Sequence, residues 1–419
     1  MVLSIGAFCS DESNKNVDNY FYRNASRHLS FDLLQRGSLT LVQALTMMAN
    51  YLQKRNRPNS GFTLLGVAMN MAQSIGLHRE FSGATVSPFT MEIRRRVWWT
   101  LYIFDSGARL TFGRPTLALG GVNTQPPRNL DDKDLTVHMD ELPESRDTPT
   151  NASSLIWQSK LAHIGNLASV KLLQNRVPPA SVMLHLGDKV IEWFKSLPPY
   201  LQASSDDPGY ENLEVPRMVL MWRSMHLCIV MYRPFILDLI KRREPLDLSN
   251  LDEAPRRCVD AAQECALSIV MFWNGTKGCH GALVWYACYW LVTTTFVHVT
   301  FLLYDPRHDW TENWRQQIES AKLALEEMGV FEPTAARAAR VIGRIMGELT
   351  NLRVELSAYE FRCSSNYRVT DLVPACPDST FFASNEPIRM DFAELWNQSW
   401  VDMALLQLQG SPFNYPNND

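Results

Sequence analysis

From Gly281 to Tyr304 the chain reads GALVWYACYWLVTTTFVHVTFLLY, without one formally charged side chain. Few folds can hold such a segment. It is long enough to cross a bilayer as a helix; otherwise it must be a helix covered by protein on every side. Thr293, Thr294, Thr295, Thr300 and His298 put polar groups along it, which lipid would leave unsatisfied. The stretches on either side read as amphipathic helices of a water-soluble body, which a lone span would split. The reading is a central buried helix, with no membrane partner.

Helical periodicity dominates the rest. Leu41, Ala44, Leu45, Met48, Ala49 and Leu52 follow i, i+3, i+4 spacing, and Thr40 with Gln43 offers a capping box ahead of them. Ser60 can cap the next helix, in which Leu64, Ala68, Met71, Ala72 and Ile75 share a face before Gly76 stops it. A third helix runs over 91–110. Further helices are expected over 154–176, 181–196, 215–242, 254–274, 281–304, 310–329 and 333–360. No alternating run argues for a sheet. The fold class expected is all-α: a large multi-helix domain over 1–362, with a flexible C-terminal tail over 363–419. A long surface loop rich in Pro, Asp and Thr interrupts it at about 125–153.

The third helix carries EIRRRVWWTLYIFD, residues 92–105. Basic and aromatic together, it could be a nucleic-acid surface, but helical geometry argues otherwise. Ile93, Val97, Leu101, Phe104 and Ala108 form a face to be buried. Consecutive residues on a helix point about 100° apart, so Arg94, Arg95 and Arg96 cannot all meet one phosphate backbone. Arg94 precedes Trp98 by four residues and Arg95 precedes Trp99 by four, spacing that places each guanidinium over an indole ring. Glu92 and Arg96 make a further i, i+4 pair. The expected role is structural. Net charge is -4 over 419 residues, so no global positive field attracts DNA or anionic lipid.

These residues resemble a known family. The segment SLTLVQALTMMANYLQKRNRPNSGFTLLGVAMNMAQSIGLHRE, then EIRRRVWWTLYIFD and Gly113-Arg114-Pro115, is similar to the middle homology region of fungal-specific transcription factors. Gly76, Leu77, His78, Arg94, Arg95, Arg96, Trp98, Trp99, Asp105, Gly113, Arg114 and Pro115 stand at the motif positions. LCIVMYRPFIL, CVDAAQECALSIV and YWLVTTTFVHVTFLL resemble later helices of that region. The resemblance implies an all-helical regulatory domain in the nucleus, behind an N-terminal binuclear zinc cluster. This chain has no C-x-x-C-x6-C stretch, so zinc is expected only if a cluster lies upstream in a longer product, and MVLSIGAF reads as an internal early helix of the region. The pattern also departs at Asp105-Ser106, where family members usually have Asp-Arg, leaving an acid–arginine arrangement incomplete.

Within the tail, MDFAELWNQSWVDMALLQL at 390–408 spaces Phe392, Trp396 and Trp400 four apart among Asp391, Glu394 and Asp402. Such a segment folds as an amphipathic helix on a partner, as an activation segment would, or docks on its own domain. No catalytic signature is present: no G-x-S-x-G, no H-E-x-x-H, no phosphate-cradling loop, no dinucleotide fingerprint. Scattered cysteines in apolar runs read as small buried hydrophobes of a reduced, intracellular protein, and the opening MVLSIGAFCSDE lacks the features of a secretion signal. Asp131, Asp132 and Asp134 read as solvated charge, His298 as a core residue, and His78 as a cation suited to a helix C-terminus.

The function expected is transcription regulation through protein contacts with transcription machinery or co-regulators, as an activator, a homodimer or a heterodimer. DNA is reached through an upstream domain or a partner, and a small-molecule effector can enter a gap between helices. The alternatives are a helical enzyme or ligand-binding protein with an unrecognised pocket, and a DNA-free co-regulator that pairs with full-length relatives. No catalytic residue, metal ligand or cofactor is assigned within this chain.

Overall fold

The computed structural model describes residues 1–10, 17–81, 86–114, 120–174, 177–202, 213–242, 247–275 and 281–347. Among them every regular element is helical. α1 (Val2–Cys9), α2 (Val17–Arg27) and α3 (Phe31–Arg36) lead into α4 (Leu39–Lys54), α5 (Pro58–Ser74) and α6 (Pro88–Phe112). After the long loop come α7 (Ser153–Gln174), α8 (Ala180–Lys195), α9 (Glu214–Arg242), α10 (Glu253–Gly275), α11 (Gly281–Tyr304) and α12 (Thr311–Met328). Residues 333–347 are helical too; the expected continuation to 360 and the tail lie outside the described residues.

α11 is the buried helix the sequence demands. Its stretch Leu283–Tyr304 is apolar and long enough to cross a bilayer, yet 89% of that window is buried inside the fold. α9, α10 and α12 pack around it, and α1 touches it as well. The threonine hydroxyls are satisfied within the helix: Thr293 donates to Tyr289 O, Thr294 and Thr295 to Leu291 O, and Thr300 to Phe296 O, at 2.7–2.9 Å. Turning hydroxyls back on the preceding turn removes the cost of burying them. Phe301 then stacks on Trp314 of α12, centroids 5.6 Å apart. Cys258, Cys265 and Cys288 are buried as free thiols, as the apolar runs around them imply.

Two apolar clusters result. The larger joins α7 to α12 and the helix at 333–347; the smaller joins α4, α5 and α6, closed by Ala162 of α7. The chain ends of the body are tied together by Asn56 at the end of α4: its Nδ2 donates to Glu332 Oε1 at 2.9 Å, and Thr334 Oγ1 donates to its Oδ1 at 2.8 Å. At the amino end, buried Asp18 accepts from Tyr51 Oη at 2.8 Å and pairs with Arg55.

Helix starts differ from the sequence reading. Ser38, not Thr40 with Gln43, caps α4: its extended backbone lets Oγ accept from Leu41 N at 3.2 Å. α5 begins at Pro58, two residues before the expected cap Ser60, because proline's fixed φ and missing N–H suit a first helical position.

His298 is buried on α11, its Nε2 has no hydrogen-bond partner, and burial lowers its pKa to about 4. The unfolded chain therefore takes up this proton before the fold does. Its contribution to stability is whole above about pH 6.5 and declines as the pH falls toward the folded value. Denaturant titrations should show stability dropping between about pH 6.5 and about pH 4.5, and the drop should be shallower in His298→Leu.

Candidate functional site

An arginine clamp at the start of α6 and a cavity between the two clusters both combine structured polar groups with burial. The clamp begins where α5 ends. Gly76, at φ +70°, lets Leu77 N donate back to Ala72 O at 2.8 Å and Gly76 N to Gln73 O at 3.0 Å. That paired closure needs a left-handed residue, and a Cβ there would stand 3.2 Å from the Phe81 ring. Leu77 is thereby driven into the smaller core.

The three arginines diverge as helical geometry requires. Arg94 Nη2 donates to Ile75 O at 3.0 Å and Gly76 O at 2.9 Å, collecting carbonyls left open at the end of α5. Arg95 pairs with Glu80 and, at 3.4 Å, with Glu92. Arg96 pairs with Glu92 at 3.1 Å, with Asp132 at 2.6 Å, and donates to Leu130 O at 2.7 Å. The expected stacking over Trp98 and Trp99 does not form. Arg94 lies over Phe81 instead, 5.1 Å from its centroid. Trp98 is fully buried with His78 beside it, centroids 5.9 Å apart, while Trp99 Nε1 donates to Gln125 O at 2.8 Å. Carbonyls and carboxylates outcompete the indoles because charge-assisted hydrogen bonds are worth more than a cation–π contact.

Glu92, fully buried, is the hub. It receives Arg95 and Arg96, and also Arg128 N at 3.2 and 3.3 Å. Burial would raise the Glu80 carboxyl, but Arg95, the Gln125 amide and Thr124 outweigh it and hold it below the usual carboxylate range. The loop over 120–152 is thus fastened, though it lacks regular structure beyond a short turn at Asp132–Asp134. Asn129 donates to Arg146 O and Thr148 O and accepts from Thr150 and Ser153, at 2.6–3.0 Å. The aspartates read as solvated charge are part of this fastening: Asp132 meets Arg96, Asp134 meets Arg146, and Asp131 accepts from Asn151 N at 3.2 Å.

At His78, burial and then Arg79 lower the imidazole's pKa. Asp105 forms a buried pair with Arg109, one turn along α6, at 2.5 Å. Gly113 ends α6 at φ +58°, Arg114 N donates to Arg109 O at 2.9 Å, and the Arg114 guanidinium covers Phe62 at 4.2 Å. Pro115 lies outside the described residues, as do Phe392, Trp396 and Trp400.

The cavity lies where α6, α7, α9 and α11 meet and opens to solvent at its mouth. Ser106, Gly107 and Thr111 of α6, Gln158 and Gly165 of α7, and Arg223 and His226 of α9 contribute to it. Trp285, Tyr286, Tyr289 and Trp290 of α11 form its aromatic wall. The sequence reading missed Arg223 and His226. The available signal was an arginine and a histidine three residues apart within the apolar stretch VLMWRSMHLCIV, where a helix brings both to one face. Among the described residues, no group of three His, Cys, Asp or Glu side chains is placed to hold a metal ion.

Residues 1–197, the stretch that holds α1 to α8, match the family model for the fungal specific transcription factor domain. Beyond the matched stretch, similarity to curated relatives extends further along the chain. The lactose regulatory protein LAC9 of Kluyveromyces lactis is 27% identical over 357 residues, covering 82% of this chain and 37% of that protein. Activator of stress genes 1 of Saccharomyces cerevisiae is 26% identical over 360 residues, covering 81% and 36%. Aurofusarin cluster transcription factor aurR2 of Gibberella zeae is 37% identical over 116 residues, 27% of this chain and 17% of that one. The chain spans little more than a third of the length of the first two. No solved structure matches it.

The clamp makes a stability prediction. Glu92→Ala leaves Arg96 and the Arg128 amide without their buried acceptor and should cost about 3 kcal/mol in chemical denaturation. Limited proteolysis of that variant should cut within 120–152 at protease levels that spare the unaltered chain.

Proposed function

We propose that this chain is the regulatory part of a transcription regulator acting in the nucleus, controlling gene expression through protein contacts and a small effector. The observation that carries this reading is the similarity to named transcription regulators over four fifths of the chain, with the domain match at its start. In this reading the helical body holds an on or off state, and the cavity between its two clusters gives an effector a place to act. DNA is reached through another domain or a partner, which fits the net charge of -4. The acidic, aromatic segment at 390–408 serves as the contact for transcription machinery, with Phe392, Trp396 and Trp400 as its anchors. The enzyme alternative draws no support from relatives whose names are those of regulators.

Fusing the full chain to an unrelated DNA-binding domain tests the proposal. Reporter expression should change several-fold relative to the DNA-binding domain alone, and Trp396→Ala with Trp400→Ala should remove an activating effect. Expression equal to that of the DNA-binding domain alone would overturn the regulator reading. An undiminished effect in the double variant would overturn only the role of the segment.

A further inference from the structure

Arg223 differs from four arginines that pair with acids. Arg55, Arg95, Arg96 and Arg109 each meet a carboxylate. Arg223 instead donates from Nη1 to Gln158 Oε1 at 2.8 Å and from Nη2 to Ile103 O at 3.1 Å. Both acceptors are neutral, and no described carboxylate pairs with it. Taking a guanidinium out of water without a counter-charge is costly, and burial accordingly lowers its pKa.

The surroundings are built for that arrangement. Gly107 faces the guanidinium: a Cβ there would stand 3.2 Å from Nη2, a tight contact that the glycine avoids. One turn further along α9, His226 is buried beside the Tyr289 ring, and its Nε2 has no hydrogen-bond partner. Burial first, then Arg233 and Arg223, bring its pKa down to about 3. At neutral pH it is a neutral imidazole with a nitrogen to spare. Lys54 adds a second cation at the same wall, 5.0 Å from the Tyr286 centroid. Tyr286 and Trp290 stack at 5.2 Å, presenting flat apolar surface next to the guanidinium.

We propose that this cavity binds a small organic anion: a carboxylate on a planar, apolar body. The carboxylate completes Arg223, His226 supplies one further hydrogen bond, and the body lies along Tyr286, Tyr289 and Trp290. Such a ligand bridges α6, α7, α9 and α11, and so joins the two apolar clusters across their seam. As the effector of a regulator it rests on the function proposed above, but the binding itself does not.

Phenylacetate and its neutral isostere phenylacetamide are the probes, used on the full chain by titration calorimetry and thermal denaturation. Phenylacetate should bind and raise Tm, with an affinity about tenfold or more above that of the amide. In Arg223→Met the preference should vanish while amide binding persists, which shows the cavity intact. If that variant does not fold, the acid–amide comparison on the unaltered chain still decides. Equal affinity for the two, no binding of either at millimolar concentration, or a preference that survives Arg223→Met would overturn the proposal. None of these results touches the reporter experiment, so failure here leaves the regulator reading standing.

Discussion

A 24-residue helix without a charged side chain has to be covered on every side, and the rest of this structure is arranged to do so. α9, α10 and α12 enclose α11, which leaves α6 and α7 to close its remaining flank. That closure brings together two cores, one from α4 to α6 and one from α7 onward. Helix surfaces shaped by their own cores do not mesh fully where the cores meet. The cavity is the space left at this seam, and α11 meets it with four aromatic rings rather than a packed face.

Fixing α6 against that flank is the work of the arginine clamp. Arg94 holds the end of α5, Arg95 holds Glu80, and Arg96 holds the loop that leads to α7. All three point away from one another, so one turn of helix braces three neighbours. Glu92 is buried beneath them and would be intolerable without them. The loop over 120–152 consequently behaves as part of the body, its backbone groups met by Asn129, Arg128 and Ser153 in place of a helix or sheet ladder. A cavity that responds to a ligand needs walls of this kind, since only a rigid frame converts a local contact into a shift of one cluster against another.

How much of this was legible in the sequence depends on the range of the forces involved. Helix positions from 153 to 328 follow from apolar spacing alone, to within one or two residues. Two helix starts were misread because Thr40 with Gln43 and Ser60 look as good locally as Ser38 and Pro58. The Arg–Trp stacking was misread for a deeper reason. Spacing along one helix shows which side chains can meet, but Arg94 and Arg95 found better partners in Gly76 and Glu80, which the fold brings from another element. Asp105 shows the converse, since its partner Arg109 lies only four residues on.

The sequence by itself determined that the body is helical and that 281–304 is its buried axis. Those properties reside in the order and spacing of apolar residues, which act within a few turns. Only the tertiary structure decided which carboxylate each arginine meets, that the aspartates at 131–134 bind the loop down, and that Arg223 faces a cavity without one. Electrostatic partners are chosen by distance in space, and Arg223, Gln158 and Gly107 come together from three helices whose approach no local pattern records.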